Sequence, residues 1–126
     1  MKIELYALCQ GAFTRDGQLT IVNTIDNFGV PSLPARISFG LALKFYVLPN
    51  EEGDKKLTIS ILRKRDEKDI LTIPVQLQIE RKEKASHLAM SLNLQNVLFE
   101  ESGAYDVHLE LDGERFNNYV FEIEPL

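Results

Sequence analysis

The sequence predicts an all-β fold, a two-sheet antiparallel sandwich of about 7–9 strands forming a single domain over residues 1–126. Three observations carry that expectation. Apolar residues recur with period two nearly everywhere, turn residues punctuate the chain at short intervals, and no amphipathic helical pattern lasts three turns. A small β-barrel is the alternative that shares this pattern.

The clearest strand runs from Ile37 to Val47. Ile37, Phe39, Leu41, Leu43, Phe45 and Val47 alternate with Ser38, Gly40, Ala42, Lys44 and Tyr46. Successive side chains of a strand point to opposite faces, so the first set is a buried row. The second set is small or amphipathic, which predicts that part of the other face is covered too. Before it, Ile3 to Phe13 places Ile3, Leu5, Ala7, Cys9 and Phe13 on one side. Arg15-Asp16-Gly17-Gln18 supplies a turn, and Leu19 to Ile25 returns as a hairpin partner with Leu19, Ile21 and Ile25 inward. Asp26 to Ala35 holds two prolines and a glycine, which predicts a loop with at most one turn of helix. Its Phe28, Val30 and Leu33 are expected to fold back as a core plug, a contact surface being the alternative.

Pro49 to Asp54 is a turn, and Leu57, Ile59 and Ile61 form the next inward row. Arg65 to Asp69 turns the chain again before Ile73, Val75, Leu77 and Ile79. Pro74 cannot donate to a ladder, so that strand belongs at a sheet edge or holds a bulge. After a charged connection, Leu88, Met90, Leu92 and Leu94 make another row, with Asn93, Gln95 and Asn96 facing out.

The segment Glu101-Ser102-Gly103-Ala104-Tyr105-Asp106-Val107 is the most specific signal in the chain. A Tyr at the entry to a sandwich strand hydrogen-bonds back across the preceding turn in immunoglobulin-like domains. Tyr105, Val107, Leu109 and Leu111 then form one face, and Tyr119, Phe121 and Ile123 the apolar face of the last strand. A two-residue Asp112-Gly113 loop followed by regular pairing would turn Phe121 and Ile123 to the wrong side. A three-residue loop, Asp112-Gly113-Glu114, is therefore predicted, pairing Leu111 with Arg115 and Val107 with Tyr119; a bulge at Asn117-Asn118 would do the same. Val107 stands where antibody domains carry a disulfide cysteine, and the chain has no Trp.

These features together resemble a family of uncharacterised bacterial proteins of about this length, known as a domain of unknown function. The matching residues are Ala7 and Cys9, Gly17-x-Leu19-x-Ile21, Pro31 and Pro34 before Ile37, and Gly103-x-Tyr105-x-Val107-x-Leu109-x-Leu111-Asp112-Gly113. The resemblance implies an immunoglobulin-like sandwich and brings no activity, cofactor or catalytic residue.

Composition narrows the function. The net charge of −5 repels phosphate backbones, and the basic triplet Arg63-Lys64-Arg65 runs straight into Asp66, Glu67 and Asp69, as a solvated hairpin tip does. No nucleic acid partner is expected. No run approaches the ~18 apolar residues of a membrane helix, so no membrane partner is expected either. Cys9 is the only cysteine, and Glu4 interrupts the apolar run a leader would need, which points to the cytoplasm. His87 and His108 read as exposed strand residues, and Cys9 as a buried hydrophobe. Glu51, Glu52 and Asp54 lack the spacing of a calcium loop, and Gly11, Gly17 and Gly29 are isolated, so no catalytic, metal or cofactor residue is assigned. Phe28, Val30, Leu33, Tyr46, Leu62, Phe116 and Val120 are the candidate interaction surface. The expected function is a non-enzymatic protein-interaction or assembly module, bound to a protein partner or to itself. A small enzyme with an acidic end-loop site near Asp26 and a carbohydrate-binding module are the alternatives.

Overall fold

A computed structural model describes residues 1–116 and 118–126. The strands are β1 (Lys2–Arg15), β2 (Gln18–Thr24), β3 (Asn27–Val30), β4 (Ala35–Val47), β5 (Gly53–Arg63), β6 (Lys68–Ile79), β7 (Ser86–Phe99), β8 (Gly103–Leu111), β9 (Glu114–Arg115) and β10 (Tyr119–Pro125). They form two sheets, ordered β2-β1-β4-β7 and β3-β10-β8-β5-β6, with β9 pairing the end of β8. Each sheet ends in edge strands, so this is a sandwich and not a closed barrel. Two short strands, β3 of four residues and β9 of two, take the number past the range expected.

The inner face of β4 is the centre of the core. Phe39, Leu41, Leu43, Phe45 and Val47 pack against Leu57, Ile59 and Ile61 of β5, Tyr105, Val107, Leu109 and Leu111 of β8, and Phe121 and Ile123 of β10. All of these rows obey the period-two pattern. As predicted, Tyr105 closes the corner at the start of β8, its hydroxyl donating to the Glu101 carbonyl at 2.7 Å. Pro74 lies in β6, which is an edge strand.

Three local departures have physical causes. First, Asn27–Val30 is a strand where a loop was expected, and it pairs parallel with β10, Phe28 facing Ile123. Its residues precede Pro31, so every one of them can donate to a ladder. The sandwich is thus mixed, not wholly antiparallel. Second, the β1–β4 pairing shifts register between Ile3 and Leu5. One extra residue reverses the pleat, so Ile3, Tyr6 and Leu8 join the main core while Leu5 and Phe13 are 40% and 52% exposed. The predicted row Ile3, Leu5, Ala7, Cys9, Phe13 is therefore split. Third, the turn after β8 has two residues, not three: Leu111 pairs with Glu114 across Asp112 and Gly113, both at positive φ (48° and 86°). Val107 still faces Tyr119, because one extra residue lies between Arg115 and Tyr119. The bulge weighed for Asn117-Asn118 bears on Asn117, which lies outside the described residues.

The outer face of β4 is covered, as its small residues suggested. Beyond Cys9 the β1–β2 hairpin leaves the side of β4 and passes over it. A Cβ on Gly40 would lie 3.1 Å from the Gly11 backbone and 3.1 Å from the Cys9 sulfur, so any other residue would have to push the crossing strand outward by a few tenths of an ångström. Cys9, Ala12 and Ala42 form a second small core there, with Leu19 and Ile21 packed on it. The Asn93 side chain of β7 then holds the hairpin: its amide donates to the Ala12 carbonyl (3.0 Å) and its oxygen accepts from the Ala12 N–H (3.3 Å). We expect Asn93→Ala to cost about 1 kcal/mol, the net value of such hydrogen bonds where water can partly replace them. Gly40→Ala should cost more, because the Gly11 main chain must move. Urea denaturation of the two variants would check both the sign and the order.

Candidate interaction surface

The seven residues proposed as a surface from sequence do not form one. Phe28, Val30 and Leu33 fold back onto the core, as the plug reading expected. The Phe28 ring lies 5.7 Å from Phe39 and 5.9 Å, edge on, from Phe121. Phe116 also turns inward, its ring 6.3 Å from Phe45. The two-residue turn causes this, since it sets Phe116 beside the inward Leu109, whose carbonyl accepts the Phe116 N–H. Tyr46, Leu62 and Val120 do face outward, but on opposite sides of the sandwich. Tyr46 lies beside His87, the two rings tilted with centroids 5.5 Å apart on the first sheet. Leu62 and Val120 flank Asp106 on the second.

Between Leu62 and Val120 lies a polar row that the sequence did not reveal. His108 is only 9% exposed, which corrects its reading as an exposed residue. It sits in the middle of the sheet, hemmed by β5 and by the Arg115 side chain. The Arg115 guanidinium lies 2.7 Å from His108 Nδ1, and Asp106 Oδ2 lies 3.8 Å from Nε2. Because Arg115 can only donate, Nδ1 accepts and the proton of the neutral ring sits on Nε2, facing Asp106. The nitrogen that could have served as a base is thus occupied. Arg63 departs from the sequence reading as well. It is 8% exposed, and its guanidinium pairs with Asp66 (3.0 and 2.7 Å) and with Glu101. Arg65 binds the same Glu101 at 2.7 Å, so the basic triplet is largely neutralised within the fold. Cys9 is buried, and burial raises its thiol pKa. Glu51 accepts the Leu48 N–H (3.1 Å) and pairs with the amino group of Met1. Beside the Asp26–Ala35 segment a cavity of about 470 Å³ is lined by Phe28, Pro31, Pro34, Arg36 and their neighbours, with no carboxylate in its wall.

An incompletely covered apolar seam lies at the open side of the sandwich. β6 and β7 are outermost strands of opposite sheets. Ile73, Val75 and Ile79 of β6 and Leu88, Met90 and Leu92 of β7 face the core but remain half-buried, because no further strand closes the gap among the described residues. Cavities mark both ends of this seam, one of about 350 Å³ bordered by Leu71 and Val97, the other of about 260 Å³ bordered by Ile79 and Leu88. From Ile70 to Ile79 and from Ser86 to Phe99 the chain holds no Asp, Glu, Lys or Arg. That double absence of charge was the available signal, and periodicity alone passed over it.

The family model spans nearly the whole of this fold, residues 4–124. The chain belongs to a family of unknown function, DUF6941. No curated protein matches it. Among solved structures it is similar to part of the Pseudomonas fluorescens alkylpurine DNA glycosylase AlkC bound to DNA containing an abasic site analog. The match covers 98% of this chain but 30% of that one, with a TM-score of 0.54 at 12% identity, and speaks to the fold alone. Among the described residues no helix is long and apolar enough to cross a membrane.

One titration follows from the side of the sandwich where β1 meets β10. Tyr6 lies 5.7 Å from Tyr119, whose hydroxyl donates to the Ile25 carbonyl at 3.0 Å. Burial first, then the Asp106 charge and Tyr119, push the Tyr6 pKa from 10.0 up to about 12. Burial raises Tyr105 and Tyr119 too. The folded state disfavours the tyrosinate, so this stability is complete below pH 10 and is lost as pH climbs from 10 towards about 12. Tyrosinate absorbance against pH should show a late component that shrinks in Tyr6→Phe, leaving the share of Tyr105 and Tyr119. It should shift to lower pH in Asp106→Asn.

Proposed function

We propose that this chain is a protein-interaction or assembly module that takes a β-strand of its partner at the open β6/β7 side. The observation that carries the reading is the pair of edge strands, free of charge from Ile70 to Ile79 and from Ser86 to Phe99, with half-exposed apolar rows between them. An edge strand presents unpaired N–H and C=O groups, and natural edges are usually blunted by charges, proline or bulges. β6 has Pro74, but β7 has neither charge nor proline over its whole length. A strand added there would gain main-chain hydrogen bonds and place alternate side chains in the seam.

The topology is immunoglobulin-like, a reading supported by the order β3-β10-β8-β5-β6 and by the Tyr105 corner. A bacterial, cytoplasmic setting is consistent with the family resemblance and with one buried, unpaired cysteine. The net charge of −5, with Arg63 and Arg65 engaged by carboxylates, weighs against a nucleic acid partner.

The test compares tagged wild-type protein with Leu92→Lys, in the seam, and with Val120→Lys, on the outer face of the other sheet. Proteins captured from the native cell by the wild type should be lost with Leu92→Lys and kept with Val120→Lys. The purified partner should then bind the wild type in titration and bind Leu92→Lys at least tenfold more weakly. Identical capture by all three forms would overturn the reading.

A further inference from the structure

We infer that the strand received at the β7 edge is β7 of a second copy of this chain, paired antiparallel about a two-fold axis at Ser91. The inference rests on the strand-accepting reading of that edge and adds the identity of the occupant.

Charge points first to a second copy. Two chains of net charge −5 repel each other over most of their surface. β7 offers them fourteen residues without a single Asp, Glu, Lys or Arg, so they can approach there without setting like charges opposite one another. β6 is the poorer candidate, because Pro74 removes a donor and Lys68 and Asp69 charge one end.

Register points to the same occupant. The regular part of β7 begins at Ser86 and ends at Asn96, whose φ of 55° marks the bulge that shifts its pairing with β4. The midpoint of that stretch is Ser91. Two-fold pairing about it sets Met90 opposite Leu92 of the second copy and Leu88 opposite Leu94 of the second copy. Every half-buried apolar residue of the row thereby meets another, which is the self-complementarity a two-fold interface requires. The two four-stranded sheets would become one continuous sheet.

Sedimentation equilibrium of the full chain should give twice the 14.4 kDa of one copy. Ser91→Cys is nearly isosteric and sets the two thiols face to face, so mild oxidation should yield a Cys–Cys cross-linked dimer. Gln95→Cys, which would face His87 of the second copy, should not cross-link. Leu92→Lys should give a monomer, and Met90→Lys/Leu92→Glu should restore the dimer, because the lysine of each copy then faces the glutamate of the other. A monomer at all concentrations, or equal cross-linking at both cysteine positions, would overturn the inference. The strand-accepting reading fails separately: a monomer whose captured partners are still lost with Leu92→Lys refutes only the second copy, whereas a monomer indifferent to Leu92→Lys refutes both.

Discussion

Five aromatic rings, one from each of five strands, hold this sandwich together. Phe28 of β3, Phe39 of β4, Phe99 of β7, Tyr105 of β8 and Phe121 of β10 meet at one end of the core. Tyr105 is stacked on Phe121 at 5.6 Å and meets Phe99 edge on at 5.1 Å. Such pairs contribute roughly 0.5–1.5 kcal/mol each beyond their burial, and here they bridge both sheets. With Cys9 as the only cysteine, no covalent link between the sheets is available. The cluster does that job by packing. The surface above it follows from the same constraint. The Tyr105 hydroxyl fixes the Glu101 carbonyl, and the Glu101 carboxylate gathers Arg63 and Arg65 from the neighbouring turn.

Most of the inward rows were legible because one-sided burial enforces period two wherever a strand keeps its register. The rows of β4, β5 and β8 needed nothing more than that. What escaped the sequence were single-residue events. The irregularity between Ile3 and Leu5 has no glycine or proline to announce it, and the αL conformation of Asn96 is equally silent. Phe116 was misread for a related reason, since a two-residue turn with one extra residue before Tyr119 and a three-residue turn leave Val107 facing the same Tyr119. The two differ only in which way Phe116 points.

The candidate site was hidden by a different limit. Periodicity tells which face of a strand looks at the core, but not whether the core is closed in front of it. Leu88, Met90 and Leu92 looked like ordinary core residues, and in a chain with one more strand they would have been. Conversely, His108 looked exposed because it alternates with Val107 and Leu109, yet a central position in a five-strand path and one long neighbour are enough to bury it. Asn93 shows a third case. Its outward position was read correctly, but its work there is to serve as a short stand-in for a strand, offering a donor and an acceptor to Ala12.

The parallel pairing of β3 with β10 has a bearing on how the chain comes to be folded. Asn27–Val30 is synthesised well before its ladder partner among the described residues, Tyr119–Pro125. Until then β3 and the aromatic cluster lack Phe121, and the second sheet cannot close at that edge. Contacts of such long sequence separation slow folding and prolong the exposure of unpaired strands. The nascent chain must therefore carry its apolar plug, Phe28 and Val30, unshielded until Tyr119–Pro125 has been made, and that strand works as the latch that ends the exposure.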